Sequence, residues 1–276
     1  MSLAVRKFNI AKMILNKSVF DENVIQIILT EYWKNLKNKS KILLDWINLE
    51  QLTWHNLSAN PNAIDLLEQY KNNIDWKFVS LNPNAIHLLE QNKHKIDWSF
   101  LSTNPNAIHL LEKNKHKIDW DNLSKNPNAI HLLENNLDKI NWFMLSENKN
   151  AMHILENNLD KISWFQLSKN PNAIDLLENN EAKIDWDNLS LNPNAIHLLE
   201  NNEDEIDWNN LCLNPNAIDL IEYEEELDDL DNKIDWDNLC LNPNAIDLLK
   251  ENQDEIDWYY LSSNPSIFED EPMPII

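Results

Sequence analysis

Tryptophan recurs at positions 54, 76, 98, 120, 142, 164, 186 and 208, then at 236 and 258; the step is 22 residues except for one of 28 before Trp236. A fixed period of this size marks a stacked array, in which each unit touches only its neighbours and cannot bury its apolar face alone. The 276 residues therefore measure reach and need not be divided into globular domains.

Counting each tryptophan as zero, the copies share one order: Ile-Asp-Trp, Leu at plus three, Ser or Cys at plus four, Asn-Pro-Asn-Ala-Ile from plus six, and Leu-Leu-Glu from plus twelve. Asp75, Asp97, Asp119, Asp185, Asp207, Asp235 and Asp257 precede tryptophans, where a carboxylate caps the free N–H groups of a first helix and meets its positive dipole end. Asn-Pro ends that helix, because the residue before proline avoids the α region. The same pair is expected to start a second helix, with Asn as N-cap and Pro at its first position. Ala, Ile, Leu and Leu then give that helix an apolar face wide enough to be sandwiched between neighbours. Lys149 stands where proline is expected and should be tolerated, since proline supplies no hydrogen bond.

Glycine is absent, so any backbone position with positive φ falls to asparagine. Asn92, Asn114, Asn136, Asn158, Asn180, Asn202 and Asn252 at plus sixteen are expected to be left-handed caps of the second helix. The tryptophan column reads as core, each indole removing roughly 150–250 Å² from water.

The expected fold is all-α: an αα-solenoid of about nine 22-residue two-helix repeats. At roughly 8–10 Å per layer, the array would form a rod or arc on the order of 80–90 Å long. Residues 1–45 should form an N-terminal helical cap, 46–268 the solenoid and 269–276 a C-terminal tail, with Phe268 plugging the last open face. Within the cap, Asp21 should start an amphipathic helix carrying Val24, Ile25, Ile28, Leu29, Tyr32, Trp33 and Leu36. The longer step before Trp236 is a six-residue acidic insertion near 223–232. The preceding second helix should run on through Glu224, Glu225, Glu226, Asp228 and Asp229 to about Asn232 as an acidic knob.

Charge is uneven. Residues 1–183 hold as many acidic as basic groups, whereas 184–276 hold Lys233 and Lys250 as their only basic ones, so the whole net charge of −23 belongs to the last third. The basic patch that nucleic-acid binding needs is missing, so no nucleic acid is expected as partner; the acidic third either keeps an Asn-rich rod soluble, docks a basic protein partner or imitates nucleic acid. The Lys-His-Lys turns at 93–95 and 115–117 are too few to alter this expectation. No stretch has the length and apolarity to span a bilayer, and residues 1–20 lack a secretory pattern. Cys212 and Cys240 replace serine at plus four and read as small buried thiols in a reducing compartment.

The repeat Ile-Asp-Trp-x-x-Leu-Ser-x-Asn-Pro-Asn-Ala-Ile-x-Leu-Leu-Glu, copied nearly letter for letter over 54–250, together with the ending Asn264-Pro265-Ser266-Ile267-Phe268, resembles the short Trp/Asn-Pro-Asn repeat proteins of mimivirus-like giant DNA viruses. The resemblance covers about four fifths of the chain and leaves out the N-terminal segment. It implies a viral protein acting in the infected host cell, in its cytoplasm or a viral factory, and supplies no catalytic residue.

Candidate contact residues are those where the copies disagree. His87, His109, His131, His153 and His197 occupy plus eleven, with Asp65, Asp175, Asp219 and Asp247 in other copies. Successive layers roughly 8–10 Å apart cannot bring such a column onto one ion with ligands at about 2 Å. The column is either a solvent-facing polar stripe or a partner contact. Phe78, Phe100, Phe143, Phe165, Tyr259 and Tyr260 follow the tryptophans, alternating with Asp and Asn, and mark apolar patches for a partner if exposed. No catalytic residue, metal or cofactor is expected, because an enzyme needs unlike residues converging on one pocket. A scaffold for protein–protein interaction is the expected function, with the oligomeric state left open. The alternatives are a structural component of a virion or viral factory, and an adaptor recruiting host ubiquitin-ligase machinery through an F-box-like N-terminal segment.

Overall fold

The computed structural model describes residues 3–16, 20–35, 40–225 and 234–274. The chain is mostly helical, with regular helix pairs packing in sequence order as an all-α solenoid. Numbering repeats 1 to 10 from Trp54 to Trp258, the third is typical: a first helix Trp98–Thr103, a second helix Ile108–Lys113 and then a 3-10 turn Lys115–Lys117. The repeat thus has three helical segments rather than two. The aspartates start the first helices as expected: Asp97 Oδ1 accepts from Phe100 N at 3.0 Å, and Asn141 and Ser163 serve where aspartate is missing.

Asn-Pro starts a helical segment as expected only at Asn264, which caps the 3-10 turn Pro265–Ile267; in the other repeats it does something other than start the second helix. That helix begins at plus ten, with Ala107 rather than Asn104 before it. Asn104 instead folds its Oδ1 onto Asn106 N (3.0 Å), closing a local turn, and its amide donates to Ser80 O (3.0 Å) and Asn82 O (3.0 Å) of the previous repeat. The asparagine is fully buried, and these three bonds satisfy most of its polar capacity. Asn106 adds a bond to Pro83 O, and Ser80 Oγ accepts from Asp97 N while donating to Trp76 O. Lys149 keeps this scheme, its carbonyl accepting from Asn172 Nδ2 at 2.7 Å.

The same links join the two ends of the array. Asn60 Nδ2 donates to Ser262 O (3.1 Å) and Asn264 O (2.9 Å), Asn62 Nδ2 to Pro265 O (2.8 Å), and Thr53 N to Ser262 Oγ (2.8 Å). Repeat 1 follows repeat 10 as repeat 2 follows repeat 1, so the array is a closed ring, not the expected open rod or arc. Asn60, 82, 104, 126, 148, 170, 192, 214, 242 and 264 form an unbroken circle of buried amides.

The tenth repeat is composite. Its first helix, Trp258–Leu261, comes from the C-terminal end, and its 3-10 turn is supplied by Leu49–Gln51. Between them, strand β1 (Lys41–Leu43) pairs antiparallel with β2 (Phe268–Asp270), Leu43 opposite Phe268, in place of a second helix. Phe268 is buried, as expected, but it lies at this seam and in the one core cluster that runs from Ile47 to Phe268. Glu269 and Asp270, expected in the tail, belong to β2.

Helix α1 (Leu3–Leu15) and helix α2 (Glu22–Asn35) pack around a separate small core of Phe8, Ile25, Leu29 and Trp33. Asp21 caps α2 through Val24 N at 3.0 Å, as its position suggested. The end of the array that this segment was expected to cover is occupied by repeat 10.

Two further expectations give way. The plus-sixteen asparagines are not left-handed: Asn92 has φ −129° and ψ 46°, Asn136 φ −145° and ψ 50°. Each turns its amide back onto the carbonyl four residues earlier, as Asn92 does to Leu88 O at 2.9 Å, while the chain enters the 3-10 turn. No left-handed position is needed there, which is how the helix end manages without glycine. The tryptophans are half-buried rather than sealed inside. The fully enclosed apolar residues are Leu101, Ala107 and Leu111 and their counterparts. Each indole of repeats 2 to 6 presents a face to the lysine at plus nineteen, as Lys95 Nζ lies 4.3 Å from the Trp76 ring centre, a cation–π pairing that the aliphatic lysine stem also helps to cover.

Candidate functional site

First helices of neighbouring repeats lie directly against one another, as Trp98–Thr103 does on Trp120–Lys125, whereas second helices stand further apart. In a closed ring the more crowded row must be the inner one. At 3.6 residues per turn, plus one, plus two and plus five share the side of the first helix opposite the buried leucine at plus three. That side therefore forms the inner surface of the ring.

Its side chains differ from repeat to repeat. Phe78 and Phe100 meet edge to face with ring centres 5.5 Å apart, beside His55 and with Lys77 Nζ 4.9 Å from the Phe100 ring. Phe143 and Phe165 stack at 6.3 Å and are 46% and 49% exposed. Next to them Lys125, Glu147 and Lys169, all at plus five, bridge repeats 4, 5 and 6 with contacts of 2.6 and 3.4 Å. Repeats 7 to 9 carry Leu191, Leu213 and Leu241 at plus five, with Asp187 and Asp237 at plus one. Asp237 has its carboxyl pushed above the usual carboxylate range, first by desolvation and then by the neighbouring charges of Asp257 and Asp235. The four phenylalanines singled out from the sequence thus lie on one surface in two pairs, Phe78 and Phe100 being half-buried. Tyr259 and Tyr260 form a third aromatic pair on it.

The histidine column lies elsewhere, on the outer second helices. Each ring engages the glutamate of the preceding repeat: His87 with Glu68 (2.8 Å), His109 with Glu90, His131 with Glu112, His153 with Glu134 and His197 with Glu178 (3.2 Å). These pairs are about half exposed, where ion pairs contribute little, about 0–1 kcal/mol. The column laces the outer layer and remains open to solvent. Of the acidic knob, Glu224 and Glu225 fall at the end of a second helix that spans Ile218–Glu225. Glu226, Asp228, Asp229 and the expected continuation to Asn232 lie outside the described residues.

Among the described residues no group of three or more His, Cys, Asp and Glu is placed to hold a metal ion, and no helix is long and apolar enough to cross a membrane. A depression of about 500 Å³ beside the seam is lined by Leu44, Trp46, Ile246 and Phe268 with scattered polar groups. Comparison with protein-family models, curated proteins and solved structures yields no match for this chain.

The plus-four residues are structural. Cys212 and Cys240 are free and buried, and burial pushes both thiols from an ordinary value of 9.0 up to about 11, against backbone hydrogen bonds from Asp235 and Asp257 that pull the other way. A raised pKa keeps them protonated at neutral pH, so the reactive thiolate is scarce. Alkylation by iodoacetamide at pH 8 should be negligible in the folded ring and complete for both thiols in urea, read by intact mass. Because the unfolded thiol ionises first, this contribution to stability is intact below pH 9 and is lost between pH 9 and about 11.

Proposed function

We propose that the chain is a non-enzymatic scaffold that binds a protein partner on the inner surface of its ring. The supporting observation is where the copies differ. Leucine, alanine, asparagine and serine recur wherever they build the core or the circle of amides, while plus one, plus two and plus five change from repeat to repeat and leave Phe143, Phe165 and Tyr259 half exposed. Exposed aromatics flanked by lysine and aspartate are the composition of a contact surface. Following the resemblance of the repeats to giant-virus proteins, the partner is sought in the infected cell.

The immobilised full chain should retain a defined protein set from infected-cell lysate. The variant F143A/F165A should lose about tenfold or more of that material, with an unchanged circular dichroism spectrum because both rings are half exposed. Retention of the same set by the variant would remove the inner surface from consideration.

A second reading, the adaptor, draws on the N-terminal helices. Their small core leaves Ile14 and Ile27 61% and 65% exposed on the two-helix unit, as a segment that docks a separate subunit would. I14D/I27D should then release that subunit selectively and leave the ring-bound partner in place.

A further inference from the structure

Repeats related by the same hydrogen bonds around a closed circle place equivalent elements at one height. The 3-10 turns therefore form a single rim, exposed at each of the turns of repeats 1 to 7 and again at 253–255. Each repeat advances about 36° around the ring, so repeats five apart lie on opposite sides. The turns of repeats 2 and 3 are Lys93–Lys95 and Lys115–Lys117, and the turn of repeat 7, opposite repeat 2, is Glu203–Glu205. The rim has a basic pole and an acidic pole.

We infer that two copies of the chain stack rim to rim as a two-fold symmetric dimer of rings, each ring's basic pole on the other's acidic pole. A two-fold axis lying in the ring plane through repeats 5 and 10 sets repeat 3 on repeat 7, repeat 1 on repeat 9 and repeat 4 on repeat 6. Lys115 and His116 then face Glu203 and Asp204; Lys71 faces Asp254 and Glu255; Lys139 and Asp138 face Glu181 and Lys183. Every one of these pairings joins opposite charges. An axis through repeats 2 and 7 would set Lys-His-Lys on itself and Glu-Asp-Glu on itself, so the charge pattern excludes that one. On the axis through repeats 5 and 10 sits the turn of repeat 5, whose Leu159 is 53% exposed and meets its own copy, with Leu137 beside it at 54%. An apolar contact on the two-fold, flanked by complementary charge, is the form of an isologous interface. This goes beyond the inner-surface reading and leaves that surface free.

The test is charge exchange on the full chain. Sedimentation equilibrium at about 20 mM salt should show a dimer that weakens at about 500 mM, where screening shortens to a few ångströms. K115E/H116E and E203K/D204K, which leave Lys117 on its Trp98 ring, should each weaken dimerisation about tenfold or more. Mixed together, the two variants should regain it as a heterodimer, since each then offers the pole the other lacks; native mass spectrometry distinguishes that species by mass. Wild type remaining monomeric at about 100 µM in low salt, variants dimerising alone as tightly as wild type, or a mixture that stays monomeric would each overturn the rim dimer. Unchanged circular dichroism guards against unfolding.

Discussion

Asn148→Asp should lower the stability of the ring by about 3–5 kcal/mol at neutral pH, the cost of an uncompensated buried charge. Asn148 is 2% exposed; its amide donates to Ser124 O (2.9 Å) and Asn126 O (3.0 Å), and its Oδ1 accepts from Asn150 N (3.1 Å). Aspartate has the same shape but no N–H, so an acceptor would face two carbonyl oxygens with no donor between them. Asn148→Ala strips the same bonds without adding charge and should cost less, about 2–4 kcal/mol for the polar groups left unpaired. The contrast has a pH signature. Folding would favour the neutral acid and raise its pKa, so the penalty specific to aspartate should be small below the unfolded value of about 3.9, grow between that value and the folded one, and level off above it. Urea midpoints of wild type and both variants at pH 4 and pH 8 check this. An aspartate variant matching wild type at pH 8 would show that the circle of amides is not a buried, obligatory donor.

The array itself was legible because a 22-residue step of tryptophans admits few alternatives and because Asp before Trp has one common use, helix capping. Asn at plus six is ambiguous in the sequence for a physical reason: an asparagine before proline fits an N-cap as well as it fits an inter-repeat bridge, and only its amide partners separate the two. Asn at plus sixteen is ambiguous for a similar reason, since the lack of glycine points to a left-handed cap while the chain avoids the need for one. Closure was nearly invisible. Leu49-Glu50-Gln51-Leu52-Thr53 lacks the Ile-Asp that closes most other copies of this turn, yet one signal was present. The array closes on a repeat without its second helix and opens, before Trp54, with the turn of a repeat lacking its first. Of the candidate surface, the phenylalanines were found because they break the pattern; Lys125, Glu147 and Lys169 were not, since a charge at plus five reads as ordinary solvent exposure until the ring brings the three together.

Asn60→Ala should be as damaging as Asn126→Ala, each costing about 2–4 kcal/mol through carbonyls and an N–H left without partners. In an open array the two positions would differ sharply. Asn126 lies between repeats in any arrangement, bonded to Ser102 O and Asn104 O, but Asn60 belongs to the first repeat and would have nothing before it. Its amide would then reach only water, and truncating it would fall within the ±0.5 kcal/mol usual for surface changes. In the ring Asn60 is 1% exposed and holds Ser262 O and Asn264 O across a separation of more than two hundred residues. Amide exchange supplies an independent reading. Thr53 N, bonded to Ser262 Oγ, should be protected like Asp75 N and Asp97 N, which make the equivalent bond inside the array. A ring has no terminal repeat to fray, so protection should not fall towards the seam. A nearly silent Asn60→Ala together with rapid exchange at Thr53 would mean that the ends part in solution and that the interface between repeats 10 and 1 is not held as its nine counterparts are.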